Sequence, residues 1–252
     1  MRIGIIGVGH LAASLLRGCL RAGWAAQDIL LSPRGQGPDL AERHGFALAN
    51  DSAEIVQRCK VVLLAVRPGD AAYAVAGLPW GVDQTLISAC AGVPIKTLSA
   101  VADPVKIVRI MPLTASELGA SPTLVYPHVP AVDPLLAAIG TTLPLQTEDQ
   151  FEAGTVSAAI YGWAQALIRD GVIWSEEAGL DPDTARALVS RTFVAAGRMM
   201  AETDAPMVDI LTGLTTPGGI TEAGLIHLEG AQVPEAWRGA CEVVLHRLRG
   251  GT

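Results

Sequence analysis

Gly7-Val8-Gly9-His10-Leu11-Ala12 has the residue types and spacing of a phosphate cradle. The pattern is G-x-G-x-x-A. Its first glycine permits a tight turn, its second lets the backbone approach a pyrophosphate, and its alanine lets a helix pack closely on a strand. The helix that follows would aim its N-terminus, with His10 and Leu11 in the first turn, at the phosphates. His10 reads as a helix-start residue beside them rather than as a catalyst. A second set, Ser32-Pro33-Arg34, stands where an acid would bind the ribose 2′-hydroxyl of NAD. A hydroxyl and a guanidinium suit a 2′-phosphate instead, which points to NADP(H), with NAD(H) as the second choice. A third string, Pro217-Gly218-Gly219-Ile220-Thr221, leads into a helical pattern, so its free backbone N–H groups form a natural anion site. The plainer reading of that string is a Gly-Gly turn with Thr221 as N-cap, and the two readings are compatible.

These residues need a scaffold, and the apolar pattern supplies one. Residues 2–6 form a short apolar run of the kind that makes a buried parallel strand. From His10 to Ala22, the side chains Leu11, Leu15, Leu16, Cys19 and Leu20 share a helical face, and Gly23 stops it. Further strands are expected at 29–31, 61–66, 86–89, 107–111 and 123–126. Helices are expected between them at 70–76, 94–100 and 132–139, and Asp51 opens another, with Glu54 spaced as a capping box requires. Alternating strand and helix predicts an α/β, Rossmann-type, doubly wound parallel sheet. After residue 148 the strand-like runs give way to helical patterns at 151–178, 182–202, 206–211, 221–228 and 234–248. The expected division is 1–148 for an NADP-binding Rossmann domain and 149–252 for an all-α dimerisation and substrate domain. Ile160, Tyr161, Trp163, Leu167, Ile168, Val172 and Trp174 cover more than one face of the first long helix. A second copy of the chain is the better candidate to bury them, giving a homodimer.

Composition narrows the classes. Half of the 252 residues are hydrophobic and 17% are charged, so a packed core is affordable and disorder is not expected. A net charge of -7 without a Lys/Arg cluster argues against nucleic acid or an anionic membrane as partner. Cys19, Cys59, Cys90 and Cys241 are far apart, which fits reduced thiols in a cytoplasmic protein and no metal site. The apolar stretch at the N-terminus is too short for a signal peptide, and no run has the ~20 apolar residues of a membrane span.

The chain resembles the pyrroline-5-carboxylate reductase family over almost its whole length. The resemblance lies in the Gly7–Ala12 turn, Ala65-Val66-Arg67-Pro68, Ser88-Ala89-Cys90-Ala91-Gly92-Val93 and Arg109-Ile110-Met111-Pro112. It is most specific in Thr216-Pro217-Gly218-Gly219-Ile220-Thr221, with Gly224-Leu225 and Leu228-Glu229 after it. It implies a Rossmann domain, an interlocking helical dimer, and NAD(P)H-dependent reduction of a cyclic imine, as in proline biosynthesis. It implies that Ala65, Val66, Arg67 and Pro68 border the cofactor. Met111, Leu113, Thr216, Gly218, Gly219 and Thr221 would border the substrate, with Thr221 orienting the imine nitrogen or giving it a proton. A cyclic imine can bind already protonated, so no strong general acid is needed. The chain departs from the family at Leu113-Thr114-Ala115, at Val156-Ser157-Ala158-Ala159-Ile160-Tyr161 and at Ile220, where an amide, glycines and a hydroxyl are usual. An imino acid less polar around its ring than pyrroline-5-carboxylate is therefore expected. The β-hydroxyacid dehydrogenases, which join similar domains, use a helix lysine; here Lys60, Lys96 and Lys106 all lie in the first domain. The alternative from another class is a catalytically weak NADP-binding regulatory or partner protein of the same fold.

Overall fold

The computed structural model describes residues 3–250. Arg2, the first residue of the first expected strand, lies outside them. In chain order the elements are β1 (Ile3–Ile6), α1 (His10–Arg21), β2 (Ile29–Leu31), α2 (Gly37–His44), β3 (Ala47–Leu48), α3 (Ser52–Arg58), β4 (Val61–Leu64), α4 (Ala71–Val75), β5 (Thr85–Ser88) and α5 (Ile95–Ser99). Then come β6 (Lys106–Met111), β7 (Ser121–Tyr126), α6 (Asp133–Ile139), β8 (Gly140–Pro144), α7 (Glu148–Thr155) and α8 (Ser157–Glu177). The rest is helical: α9 (Pro182–Glu202), α10 (Met207–Leu214), α11 (Ile220–Gly230) and α12 (Val233–Leu248).

The strands form one eight-stranded sheet in the order β3-β2-β1-β4-β5-β6-β7-β8. Side chains alternate across it, as strand geometry demands. Ile3 and Ile5 of β1, Val61 and Leu63 of β4 and Ile87 of β5 enter one apolar core. Ile6, Val62, Leu64 and Leu86 enter the other, which lies on the opposite face. Continuous apolar runs thus belong to strands covered on both sides.

The expectation of a parallel sheet needs one correction. β7 pairs antiparallel with β6, and β8 runs parallel to β7, so the last two strands oppose the first six. Residues 112–120 join β6 to β7, which is too short for the dozen or more residues of a parallel crossover. A second correction concerns the helix expected at 151–178, which is two helices, α7 and α8, meeting at Val156. Thr147 starts α7 early by accepting the Gln150 N–H at 3.1 Å. At its end the Val156 N–H reaches back only to Ala153 O, and the Thr155 hydroxyl bonds Phe151 O at 2.8 Å. Such back-bonding bends or ends helices.

The described residues separate into two compact units. One holds those up to Ala158 together with those from Leu245 on; the other is Ala159–Val244. In the second unit Ala185 is the one buried apolar side chain among the described residues, while Leu167, Trp174, Leu188, Met207, Leu214 and Ile226 are exposed. Trp163 and Trp237 meet edge to face there, with ring centroids 5.3 Å apart. Asp181 caps α9 by accepting the Thr184 N–H at 3.0 Å, as the Asp-Pro start suggested.

Cys19, Cys59 and Cys90 are buried thiols, and none of them is in a disulfide among the described residues. Burial pushes the Cys19 thiol up to about 12 and raises that of Cys90 as well. The thiolate is the reactive form. A thiol titration of the native protein at pH 8 should therefore leave these three unmodified for minutes, with the full four reached only on denaturation. Rapid labelling of Cys19 in the native state would contradict the packing described here.

Candidate active site

The chain crosses from β1 into α1 through a space with no room for a side chain at Gly7. Gly7 has φ +89°, and a Cβ there would lie 2.5 Å from Val66 Cγ1 and 2.9 Å from the Ala65 carbonyl oxygen. Ala65 and Val66, just past β4, are thus brought against the turn, and the Ala65 N–H donates to Ile6 O at 2.9 Å. Gly9 is the N-cap of α1, with no side-chain cap and no acidic residue in the first turn. A Cβ on Gly9 would meet nothing within 4 Å. The first helical hydrogen bond is Ala13 N–H to Gly9 O at 2.9 Å, which leaves the N–H groups of His10, Leu11 and Ala12 outside the ladder. Ala12 is buried beneath the turn, Leu11 is half-buried and His10 is exposed. Uncapped N–H groups at the positive end of a helix dipole, facing open space, suit a phosphate anion.

The loop after β2 is clasped to the same turn. The Gly7 N–H donates to Ser32 Oγ at 3.2 Å, and the Gln36 N–H donates to Val8 O at 2.9 Å. Ser32 is buried, so part of its hydrogen-bonding capacity is spent holding the glycine turn. Arg34 is exposed, and its guanidinium has no ion pair among the described residues. Arg67 and Pro68, past β4, are exposed as well.

At the carboxyl end of β6, Met111 packs with Leu124 and Phe151 in a small apolar cluster. Leu113 is buried; its N–H donates to Ser121 Oγ at 2.9 Å, and its carbonyl accepts from Ser116 Oγ at 2.6 Å. Two strand positions before Met111 stands Arg109, whose guanidinium is 1% exposed and lies 2.9 Å from Glu148 Oε1 and 2.5 Å from Glu152 Oε1. Spacing and composition assign Arg109 and Glu148 no role. The available signal is a charge inside the apolar run Ile107-Val108-Arg109-Ile110-Met111, since a charge is rarely buried unless paired.

In the second unit, the turn before α11 has Gly218 at φ +73° and Gly219 as N-cap. Gly219 faces the Thr216 hydroxyl too closely for a Cβ. Two corrections apply here: the N-cap is Gly219 rather than Thr221, and the N–H groups of the two glycines are already engaged. The Gly218 N–H donates to Glu222 Oε2 at 2.6 Å, and the Gly219 N–H donates to Thr216 O at 2.9 Å. Because the helix ladder begins at Ala223 N–H to Gly219 O, the N–H groups of Ile220, Thr221 and Glu222 remain outside it. Thr221 is exposed, and Ile220 is 94% exposed. Glu222 is legible as the acidic third residue of a helix, the position from which a side chain reaches back over the start. Among the described residues no group of His, Cys, Asp and Glu could hold a metal ion, and no helix is long and apolar enough to cross a membrane.

A glycine turn at the end of the first strand of a mostly parallel sheet, leading into an uncapped helix, defines a dinucleotide-binding α/β protein, here continued by a helical second half. The family description "NADP oxidoreductase coenzyme F420-dependent" matches residues 2–92, and "Pyrroline-5-carboxylate reductase dimerisation" matches residues 150–250. The pyrroline-5-carboxylate reductase of Pseudomonas aeruginosa is 31% identical over 237 residues, covering 89% of this chain and 87% of that protein. Pyrroline-5-carboxylate reductase 2 of Bacillus subtilis is 27% identical over 253 residues, covering 93% of this chain and 89% of its own. The chain belongs to the pyrroline-5-carboxylate reductase family. Its fold matches a Plasmodium falciparum pyrroline carboxylate reductase with NADP bound, with a TM-score of 0.89 at 20% identity over 99% of this chain and 97% of that one. A reductive aminase from Aspergillus terreus, in complex with NADPH and ethyl levulinate, shares the fold with a TM-score of 0.60 at 15% identity, covering 99% of this chain and 91% of its own.

Gly7→Ala should be destabilising by more than about 1 kcal/mol, because the new Cβ meets both a backbone carbonyl and an unfavourable φ. Urea unfolding of parent and variant measures it, and equal midpoints would mean the turn is looser than described.

Proposed function

We propose that the chain is an NADPH-dependent reductase of a small cyclic imino acid, of the pyrroline-5-carboxylate reductase type. The observation that carries this reading is the match to reductases of that name along most of the chain, 31% identical over 89% of it in the Pseudomonas aeruginosa case. The uncapped glycine turn supports the cofactor half of the reading, as does the relative with NADP bound. Residues 1–148 hold the cofactor, and residues 149–252 make the dimer and meet the substrate.

Gly7, Gly9, His10, Leu11 and Ala12 present backbone to the pyrophosphate. Arg34 meets the 2′-phosphate, and Ser32 braces the turn while sharing its hydroxyl with that phosphate. Ala65, Val66, Arg67 and Pro68 border the cofactor from β4. NADPH, when bound, supplies a hydride to the carbon of the C=N bond. The imine enters protonated, so its nitrogen already carries the proton that the product amine keeps. Thr221 orients that nitrogen with its exposed hydroxyl. Thr216, Gly218 and Gly219 shape a turn whose following N–H groups meet the substrate carboxylate. Met111 and Leu113 offer the ring an apolar wall. Leaving a polar ring substituent unpaired against such a wall costs about 1–3 kcal/mol, which disfavours more polar imines.

The helical half pairs with a second copy of the chain. Its exposed leucines, methionines and tryptophan support this, together with the match to a dimerisation description. A small reduced-thiol enzyme of this kind belongs in the cytoplasm.

NADPH oxidation should be assayed against five- and six-membered cyclic imines, with and without a carboxylate, for the parent, Arg34→Ala and Thr221→Ala. Arg34→Ala should weaken NADPH but not NADH. Thr221→Ala should lower turnover at least about tenfold, with NADPH affinity nearly unchanged, as expected for a contact made in the transition state. NADPH binding without turnover of any imine would instead favour a cofactor-binding partner protein. Light scattering should give a dimer at micromolar concentration, since obligate interfaces of this kind bury more than ~2,000 Å². A monomer would remove the assembly from the proposal.

A further inference from the structure

Arg109 heads the largest fully buried side chains among the described residues. It lies on the face of β6 that carries Met111, near the carboxyl edge of the sheet. Its guanidinium is shared between two carboxylates one helical turn apart on α7, Glu148 and Glu152, and it stacks on Phe151 between them, 4.5 Å from the ring centroid. Glu148 Oε1 also accepts the Ile95 N–H at 2.7 Å, and Ile95 opens α5, which has no side-chain cap at Pro94. One carboxylate oxygen thus joins β6, α7 and the start of α5. The loop that leads into α5 contains Cys90, whose thiol donates to Val66 O at 3.5 Å and faces Leu64 O at 3.8 Å. Val66 is the side chain that closes over Gly7. A path therefore runs from the buried guanidinium to the glycine turn, through hydrogen bonds at Glu148 and Cys90 and, between Ile95 and Cys90, through the backbone of the loop after β5.

Stability is a poor explanation for this arrangement. Arg109 Nε and Nη2 and Glu152 Oε2 are buried without an aligned hydrogen-bond partner among the described residues. A buried ion cluster left partly unsatisfied is a weak stabiliser beside an apolar side chain of the same volume. What the cluster does supply is fixed register among three elements at the edge where ligands bind in open α/β sheets.

We propose that Arg109, acting through Glu148, is a positioning residue for hydride transfer. It holds the loop after β5 and the end of β6 where the reacting end of the cofactor and the imine must meet. This rests on the reductase reading above. Affinity for NADPH is carried by the phosphates at the glycine turn and Arg34, so losing Arg109 misplaces the reacting atoms without releasing the cofactor.

The test compares Arg109→Met, Arg109→Lys and Glu148→Gln with the parent. Three quantities are read: kcat, the dissociation constant of NADPH, and the nicotinamide emission of bound NADPH. Arg109→Met should lower kcat about 100-fold, the scale expected for a displacement near 1 Å. Its NADPH affinity should stay within about threefold, as expected for an effect on the chemical step alone. Its bound-NADPH emission should shift. Arg109→Lys should recover part of the rate by keeping a charge opposite Glu148. A folded Arg109→Met protein whose kcat stays within about twofold, or whose NADPH affinity falls as far as its rate, overturns the proposal. If that variant does not fold, Glu148→Gln decides, because Glu148 is partly exposed: an unchanged kcat and emission overturn the proposal. If the parent reduces no imine, the reductase reading fails by itself, and the emission of bound NADPH still tests the positioning role, with no shift in the variants overturning it.

Discussion

Space at the end of β1 is the constraint on which the rest of the first unit depends. The chain visits β1, β2 and β3 on one side and then returns to lay β4 on the other side of β1. The strand order therefore switches between β1 and β4, and a crevice opens at their carboxyl ends. Gly7 sits at that switch with Val66 and Ala65 against it from β4 and Ser32 hydrogen-bonded to it from β2. Any side chain at position 7 would separate strands whose packing buries both faces of the sheet. Just past this tight turn, the first N–H groups of α1 lie outside the helix ladder and have no side-chain cap. Fold and phosphate chemistry thus meet in one short segment: Gly7 for the packing of the strands, Gly9 for the open start of the helix.

The two units meet the hydrophobic effect differently. Two cores flank the sheet of the first unit, and its central strands are buried residue by residue. The second unit has comparable apolar content in its helices, yet Ala185 is its one buried apolar side chain among the described residues. Soluble monomers seldom expose contiguous apolar patches beyond a few hundred Å², and larger ones mark interaction surfaces. The helices satisfy their own backbone hydrogen bonds, so the missing quantity is area removed from water. A second copy, which offers the same uncovered surface, is the simplest supply of it. The match to a dimerisation description over residues 150–250 agrees with that need.

What was legible in the chain follows from how strongly each element is buried. β1, β2, β4, β5, β6 and β7 are apolar runs, and each was expected within a residue or two. β3, with two residues, and β8, mostly exposed at the sheet's edge, have no apolar run and were not expected. α2 gives no such signal, because it is polar and buries only Gly37 and Leu40. The kink at Val156 was hidden because apolar periodicity continues through it, and the break comes from local hydrogen bonds instead. In the site, glycines announce themselves because a turn and a close approach allow little else. The type of Ser32 suggests a phosphate contact, whereas its hydroxyl accepts from the Gly7 N–H; residue type alone does not say where a hydroxyl points. Arg109 and Glu148 stand 39 residues apart, a pairing that no local pattern reports.

The same device recurs at three helix starts and gives the turn before α11 its energetic meaning. In α3, α7 and α11 the third residue, Glu54, Gln150 or Glu222, sends its side chain back to the N–H of the residue before the cap, Asn50, Gln146 or Gly218. This lies one residue beyond the N–H that a capping box engages. In α3 and α7 the cap side chain also accepts a hydrogen bond, Asp51 from the Glu54 N–H and Thr147 from the Gln150 N–H, so the reach-back is an addition. In α11 the cap is Gly219, which has no side chain, and Glu222 is the side-chain acceptor at that helix start. Its carboxylate therefore holds the glycine turn closed in the free chain. A substrate carboxylate that comes to the same turn finds the N–H groups of Ile220 and Thr221 outside the helix ladder, but meets a like charge at Gly218. In the function proposed above, anion binding there would be a contest between two carboxylates. Its outcome depends on whether Glu222 withdraws, so the side chain that stabilises the empty turn also weighs against an acidic ligand.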